Sequence, residues 1–222
     1  MSRLSDSFNS VPICTVSLLV VNISVHLYLF IASIPLQYLA NSAFMVFDEG
    51  QYYRIISSAF THNGAMHILM NMMSLIQLGA GLEQNFGTVQ FFLCSMWTVV
   101  LDGFLYCVLN WFISVAIPGY QSYMYSSAVG YSGVLFSYAV ISSYHTTAPT
   151  QSVFGLFSVP SKLYPWILLG IMQVILPGIS LIGHLSGILV GLLAVHGAFD
   201  LFFIPSKGTF VIDCFMFCEN AT

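Results

Sequence analysis

The sequence predicts an all-α polytopic membrane protein with six transmembrane helices. The first observation behind this fold class is composition: of 222 residues, 58% are hydrophobic and only 5% are charged. A typical soluble domain carries about 25% charged residues, so this chain cannot cover itself with polar surface. The second observation is a series of long apolar runs separated by polar or Pro- and Gly-containing segments. The lipid bilayer is therefore the expected surrounding.

Each predicted span is an apolar run with a recognisable end. The first is about 22 residues long and stops at Pro35, which is long enough to cross a bilayer and too long for a signal-peptide core. Glu83 is predicted to cap the far end of the second span, and Asp102 lies midway along the third. The predicted spans are 13–34, 65–82, 89–113, 129–144, 163–176 and 179–199.

The fifth span, 163–176, has Pro165 near its start and Pro177 just after its end, and it covers only about 21 Å against a hydrocarbon core of about 30 Å. We expect it to be tilted, thinly anchored or mobile. Residues 36–64 are too polar to span and too apolar for open solvent, which favours a structure lying on the membrane. Residues 1–12 and 200–222 are predicted to be a short N-terminus and a short tail.

The few cations predict the orientation. An even number of spans puts both termini on one side, where the loops hold Arg3, Lys162 and Lys207, against only Arg54 on the other side. Positive residues concentrate on the cytosolic side, so we expect both termini in the cytosol. The formal charge of −4 shows no basic stripe, which argues against a nucleic-acid partner.

Polar residues recur at one depth on three predicted spans. His67, Ser132 and His184 each lie just inside the start of a span that begins on the non-cytosolic side. At 1.5 Å per residue their depths are roughly 5–8 Å. Buried polar groups are costly in lipid, so this agreement in side and depth indicates a shared site.

The residue types suit acyl transfer. A serine hydroxyl needs a base, and histidine accepts protons near neutral pH. Ser132 near a helix N-terminus has unpaired backbone N–H groups beside it, and Asn71, four residues after His67 on the same helical face, offers an amide. We place His62 on this histidine-rich helix as well. Gly183, Gly187 and Gly191 form a ridge of small residues that would pack closely against Gly133 and Ser137.

Each feature also has an ordinary structural explanation. A lone intramembrane serine usually bonds its own helix, a lone histidine is more often a packing residue, and a Gly-xxx-Gly pattern often serves packing alone. Asp102 is a possible third member of a triad, although structural pairing is favoured for it, and His26 is expected to bond within the bundle. The five cysteines form no Cys-x-x-Cys pair and no zinc-like spacing, so no metal and no cofactor are expected.

The ordered motifs resemble those of the rhomboids, a family of intramembrane serine proteases. The similarity runs from about residue 51 to residue 197. Its motifs are Tyr53-Arg54, His62, Met66-His67-Ile68-Leu69-Met70-Asn71, Gly81-Leu82-Glu83, Gly87, Gly130-Tyr131-Ser132-Gly133, Gly183-His184-Leu185-Ser186-Gly187 and Gly191.

This resemblance implies a six-helix core in which Ser132 is the nucleophile, His184 the base, and His67 with Asn71 the oxyanion-hole donors. It also implies a first loop lying in the membrane, a gate near span five, and transmembrane helices as substrates, cut near the lumenal or external face. Two departures are Tyr53 where many relatives have tryptophan, and Phe136 where many have tyrosine. Residues 128–136 look most like the endoplasmic-reticulum branch, so we expect a location in the endomembrane system, the endoplasmic reticulum or the Golgi.

Three functions compete at this point. The favoured one is an active intramembrane protease. A non-catalytic rhomboid-like protein that binds membrane clients in quality control is the alternative, although such relatives usually lack the serine or the histidine. A small transporter with a proton path through histidines and Asp102 would be expected to carry inverted repeats, and the sequence has no internal repeat.

Overall fold

The computed structural model of the protein describes residues 11–176 and 178–198, and it is mostly helical. The helices are α1 (Ile13–Ile31), α2 (Ala43–Phe47), α3 (Arg54–Phe60), α4 (Ala65–Phe86), α5 (Thr88–Ala116), α6 (Ser132–His145), α7 (Tyr164–Ile175) and α8 (Leu181–Val195). Short 3-10 turns cover Leu36–Tyr38, Gln121–Tyr125 and Ser161–Leu163. An antiparallel hairpin, β1 (Thr150–Val153) with β2 (Phe157–Pro160), lies between α6 and α7 and departs from the predicted all-α class.

Helix length separates two groups of helices. Among the described residues, α1, α4 and α5 are long and apolar enough to cross a membrane, with 19, 22 and 29 residues. Helices α6, α7 and α8 have 14, 12 and 15 residues. At 1.5 Å per residue these three cover about 18–22 Å, less than a hydrocarbon core of about 30 Å. The count of six spans stays a prediction.

Several helix bounds differ from the approximate predicted ones, and three of these differences have a clear local cause. The second span does not end before Glu83 but continues to Phe86, where Gly87 at φ +83° breaks the helix. The fourth begins at Ser132 rather than 129, because Gly130 at φ +119° is not helical. The sixth begins at Leu181 rather than 179, since the Ser180 side chain caps it by accepting the Gly183 N–H at 3.1 Å.

Some predictions fall outside the described residues. The predicted end of the sixth span at 199, Pro177, the tail 200–222 and most of the segment 1–12 lie there. So do Arg3 and Lys207, on which the orientation depends.

Helix α6 is the centre of the molecule. Residues 133–141 are all buried, without the exposed face of a surface helix. A helix that is apolar on all sides is stable only when other helices surround it. Helices α4, α5, α7 and α8 pack around α6, so its first residue, Ser132, opens into the space between them.

The segment between α1 and α4 is fixed to the bundle by buried polar side chains. Asn41 donates an amide N–H to the Gly103 carbonyl of α5 at 2.8 Å, and its backbone pairs with Ala128 just before α6. Arg54 is buried, and its guanidinium donates to the carbonyls of Gln37 and Ala40 at 2.7 Å. Buried donors need such partners, so these bonds hold the segment in place. Its location at a membrane surface stays a prediction.

Glu83 has a different role from the predicted cap of its own helix. Its carboxylate accepts the backbone N–H groups of Cys14 and Thr15 at 2.9 and 2.7 Å, and the hydroxyls of Thr15 and Thr88 at 2.8 and 2.9 Å. The first N–H groups of a helix have no partner within the helix, and the positive end of the dipole favours an anion. Glu83 therefore caps the N-terminus of α1 and joins α1, α4 and the start of α5.

Glu83→Ala is expected to destabilise the fold, because it leaves two backbone donors and two hydroxyls without their acceptor. Hydrogen bonds to a charged group contribute about 1.5–3 kcal/mol each, so a loss of about 3 kcal/mol or more is expected. Thermal unfolding in detergent measures it. Glu49→Ala makes the same chemical change at an exposed position and serves as the control. Equal melting temperatures of the two variants would contradict this role of Glu83.

Candidate functional site

Ser132 and His184 form a hydrogen-bonded pair. Ser132 is the first residue of α6, and His184 is the fourth residue of α8. The Ser132 Oγ lies 2.9 Å from the His184 Nε2. The sequence predicted this proximity from the matched depth of the two residues and from the small-residue faces of their helices. At this distance the imidazole can accept the hydroxyl proton, which is the first requirement of an activated serine.

Glycine permits the close approach of α6 and α8. A Cβ at Gly187 would collide with the Gly133 carbonyl group, lying 2.7 Å from its carbon, and a Cβ at Gly191 would lie 2.9 Å from the Ser137 carbonyl oxygen. The Ser137 hydroxyl donates to the Gly187 carbonyl at 2.6 Å. The predicted ridge of small residues therefore does face Gly133 and Ser137. Bulkier side chains would separate the two backbones and, with them, Ser132 and His184.

The His184 ring is held mainly by packing. Its exposed fraction is 6%, and the Phe136 ring lies with its centroid 4.6 Å away at 31°. An aromatic ring at position 136 thus stacks on the histidine, although it offers no hydroxyl. Within the described part of the chain, the His184 Nδ1 has no hydrogen-bond partner. The imidazole is therefore oriented by Ser132 and Phe136, and no carboxylate is bonded to its far nitrogen.

His67 and Asn71 line the same cavity as Ser132 and His184, and its volume is about 530 Å³. The His67 ring packs against Gly130, where an added Cβ would come within 2.6 Å of the His67 Cε1. Asn71 is buried and donates an amide N–H to the His67 carbonyl at 2.8 Å. The structure thus brings all four predicted site residues to one cavity. Their chemical roles stay a prediction.

His62 differs from its predicted place. It precedes α4 instead of lying on it, because Gly64 at φ +87° starts the helix only at Ala65. Burial, reinforced by the nearby His67, lowers the pKa of His62 to about 3. The neutral ring accepts the Tyr131 backbone N–H at its Nε2, at 3.3 Å. His62 therefore supports the turn just before Ser132.

Two contacts near the site were missed by sequence reasoning. The Asp102 carboxylate accepts the Ser186 hydroxyl at 2.6 Å, and Ser186 lies two residues after His184. Asn41 fixes the turn before α6 through its backbone pairing with Ala128. A polar residue inside an apolar run was the only available signal for Asp102, and such a signal does not name its partner.

The arrangement contains the groups that the chemistry of a serine hydrolase requires. A serine and a histidine are in hydrogen-bond contact at a helix N-terminus, where backbone N–H groups lack helical partners. Donors placed in this way stabilise the oxyanion of a tetrahedral intermediate. The pair lies within an apolar bundle whose three longest helices are suited to a membrane.

Comparison with known proteins agrees with this class. The Rhomboid domain family matches residues 49–200. The chain is 32% identical over 218 residues to Rhomboid-like protein 15 of Arabidopsis thaliana, covering 94% of this chain and 52% of that protein. It is 29% identical over 203 residues to Rhomboid-related protein 4 of Rattus norvegicus, covering 91% and 63%. Rhomboid-type serine protease 2 of Debaryomyces hansenii is 30% identical over 158 residues, covering 68% and 52%.

The chain belongs to the rhomboid family, a family of integral membrane proteins that includes serine proteases. The predicted resemblance is confirmed. The chain spans about half to two thirds of the length of these relatives.

Gly187→Ala is expected to lower the melting temperature in detergent, because the added methyl collides with the Gly133 backbone. Gly81→Ala is the matched control: it lies in α4, and a Cβ there would meet nothing within 4 Å. Alanine favours a helix over glycine by about 1 kcal/mol, so the control should keep or raise the melting temperature. A Gly187→Ala protein as stable as the control would contradict the close contact of α6 and α8.

Proposed function

We propose that this protein is an intramembrane serine endopeptidase that cleaves transmembrane segments of membrane proteins by a Ser132–His184 dyad. The observation that carries the proposal is the 2.9 Å contact between the Ser132 Oγ and the His184 Nε2, at a helix N-terminus inside a cavity. Family membership supports protease activity at the level of the family. The proposal needs the Ser132–His184 contact as well as family membership, because a rhomboid-like protein without this pair would have no nucleophile.

In the proposed reaction, the His184 Nε2 accepts the hydroxyl proton as the Ser132 Oγ attacks the carbonyl carbon of the scissile peptide bond. The tetrahedral intermediate collapses to an acyl-enzyme when the imidazolium donates this proton to the leaving amine. Water then attacks the ester, with His184 again as the base, which regenerates the serine. The other His184 nitrogen has no partner among the described residues, so two residues carry the proton transfers.

We assign the oxyanion hole to His67, Asn71 and the backbone N–H groups at the start of α6. An amide group carries two N–H donors, and only one of those of Asn71 is needed for its bond to the His67 carbonyl. The His67 ring packs against Gly130 at the edge of the cavity that contains Ser132. Donors fixed before the reaction need no reorganisation when negative charge develops on the carbonyl oxygen.

The wider setting is proposed with it. We propose six spans, both termini in the cytosol, and cleavage near the lumenal or external face. This topology is consistent with the positions of Ser132, His67 and His184 near the starts of their helices. Transmembrane-helix proteins are the proposed substrates, since the family acts within the bilayer. The proposed location is the endomembrane system, the endoplasmic reticulum or the Golgi.

Ser132→Ala and His184→Ala should each abolish cleavage of a reporter transmembrane helix in proteoliposomes, because each removes one partner of the proton transfer. Ser132→Ala should also fail to react with a serine-directed fluorophosphonate. Ser142→Ala, the same change near the other end of α6, should cleave and label normally. Equal cleavage by wild type and Ser132→Ala, with retained binding of the reporter, would instead favour a client-binding protein without catalysis.

Asn71→Ala should slow turnover by about a hundredfold, or about 3 kcal/mol, with little change in KM, because its oxyanion partner exists mainly in the transition state. Turnover and melting temperature are measured on the same preparation.

Asn22→Ala is a matched control for Asn71→Ala. Both asparagines are buried, both donate to the carbonyl four residues earlier at 2.8 Å, and both have an Oδ1 without a partner among the described residues. Asn22 lies on α1, outside the cavity. An Asn71→Ala protein that loses stability like the control, with normal turnover per folded molecule, would remove Asn71 from the site.

A further inference from the structure

A carboxylate that the proposed reaction does not use lies beside the dyad. Asp102 is the fifteenth of the 29 residues of α5, in the middle of a helix long enough to cross a membrane. It lines the same cavity as Ser132 and His184. An ionisable residue at such a depth is costly, so its contacts should explain why the position holds an aspartate.

The first contact is with the helix that carries the histidine. The fully buried Ser186 hydroxyl donates to the Asp102 Oδ1 at 2.6 Å. Ser186 is two residues after His184 on α8, so a displacement of Ser186 displaces the histidine as well. The Ser186 Oγ also lies 2.9 Å from the Gly183 carbonyl, which gives the hydroxyl a second acceptor within its own helix. Removing the carboxylate would therefore leave no orphaned donor on Ser186.

The second contact is with the helix that carries the serine. A Cβ on Gly133 would collide with the Asp102 carboxyl group, coming within 2.8 Å of its Cγ. Gly133 directly follows Ser132, so the carboxyl group packs against the backbone at the first turn of α6. One side chain on α5 thus touches both helices of the dyad, each within two residues of the reacting group.

The helix that carries Asp102 is itself anchored on its other side. At the next residue, Gly103, the backbone packs so closely on α3 that an added Cβ would lie 3.1 Å from the Ile55 carbonyl carbon. The Gly103 carbonyl also accepts the Asn41 amide at 2.8 Å. Asp102 therefore projects from a fixed point of α5 towards two helices that meet through small residues.

We propose that Asp102 is a positioning residue that sets the distance between Ser132 and His184 by contacting Gly133 and bonding Ser186. This role rests on the proposed function, and it differs from that of the third member of a catalytic triad. Asp102 accepts a hydrogen bond from Ser186, whereas the His184 Nδ1 has no hydrogen-bond partner among the described residues. Asp102 acts through helix placement and leaves the proton transfers to the dyad.

Asp102→Asn has nearly the shape of the native side chain but lacks its charge, so it distinguishes an effect of position from an effect of charge. Asp102→Asn keeps the planar group against Gly133, and its amide can donate to the Ser186 Oγ while the Ser186 hydroxyl donates to Gly183. Asp102→Ala removes both contacts. Asn110→Ala is the control on the same helix, since Asn110 is a buried polar residue that donates to the Tyr106 carbonyl of its own helix at 2.8 Å.

The test measures the rate of Ser132 labelling by a fluorophosphonate, per folded molecule, together with kcat and KM for a reporter helix. Misplacement of reacting groups by about 1 Å can cost about a hundredfold, so Asp102→Ala should label 10- to about 100-fold more slowly, with lower kcat and an unchanged KM. Asp102→Asn should recover labelling to within about threefold of wild type, since a neutral hydrogen bond replaces the original one. Asn110→Ala should label like wild type.

A double-variant comparison tests the pairing with Ser186. Ser186→Ala alone should also slow labelling. The double variant, Asp102→Ala with Ser186→Ala, should label no more slowly than Asp102→Ala alone, because the effects of substitutions at coupled sites are not additive. Additive losses would overturn the proposal. A raised KM with normal labelling would also overturn it, because Asp102 would then be a substrate contact. Slowing by Asp102→Asn equal to that by Asp102→Ala would overturn it as well, because the charge of Asp102 would then be essential.

A second measurement is independent of turnover. In detergent, ¹⁵N spectra of the histidine rings report the hydrogen bond at the His184 Nε2, with the signal assigned by its loss in His184→Ala. Asp102→Ala should shift this signal, and Asp102→Asn should restore it. If wild type and Ser132→Ala both failed to label, the proposed protease function would be wrong. The ring signal would still support the positioning role by shifting, or overturn it by staying unchanged.

Discussion

The contact of α6 with α8 through glycine is the constraint on which the site depends. With backbone against backbone at Gly133 and Gly187, the first turn of α6 lies beside the second turn of α8. Helices in lipid gain little from the hydrophobic effect when they associate, so van der Waals contact and short hydrogen bonds must hold them. The Ser137 hydroxyl, bonded to the Gly187 carbonyl at 2.6 Å, supplies one such bond in the middle of this contact. This packing places Ser132 and His184 within hydrogen-bond distance of each other.

Buried polar groups hold the surrounding helices in register. Glu83 fixes the start of α1 to the end of α4, and Asn41 fixes the segment between them to α5. Behind Ser132, a buried chain of hydroxyls runs from Tyr131 through Tyr138 to Ser95 on α5. An unsatisfied polar group is expensive in an apolar interior, so each of these contacts disfavours any other arrangement of the helices. The apolar residues fill the bundle, whereas the polar ones determine which helices meet.

The sequence predicted the helical class, the meeting of Ser132 with His184 and the facing of the glycine ridge on Gly133. These depend on composition, on the side and depth of polar residues, and on small-residue spacing, all of which can be read locally. It could not predict that Glu83 caps α1, because that bond joins residues 68 and 69 positions apart. The partner of Asp102 was equally hidden, 84 positions away on α8. His62 was misplaced because a glycine with positive φ sets the helix start, and a histidine pattern does not reveal it.

The burial of residues 133–141 separates most of α6 from the lipid. Residues 133–141 of this helix have no exposed face, whereas α1 and α7 present large apolar side chains such as Phe30 and Val174, with exposed fractions of 78% and 82%. A change in bilayer thickness or lateral pressure therefore acts first on the outer helices. Such a change reaches Ser132 only through the helices packed around α6. Membranes of different composition therefore act on the geometry of the site only indirectly, through the outer helices.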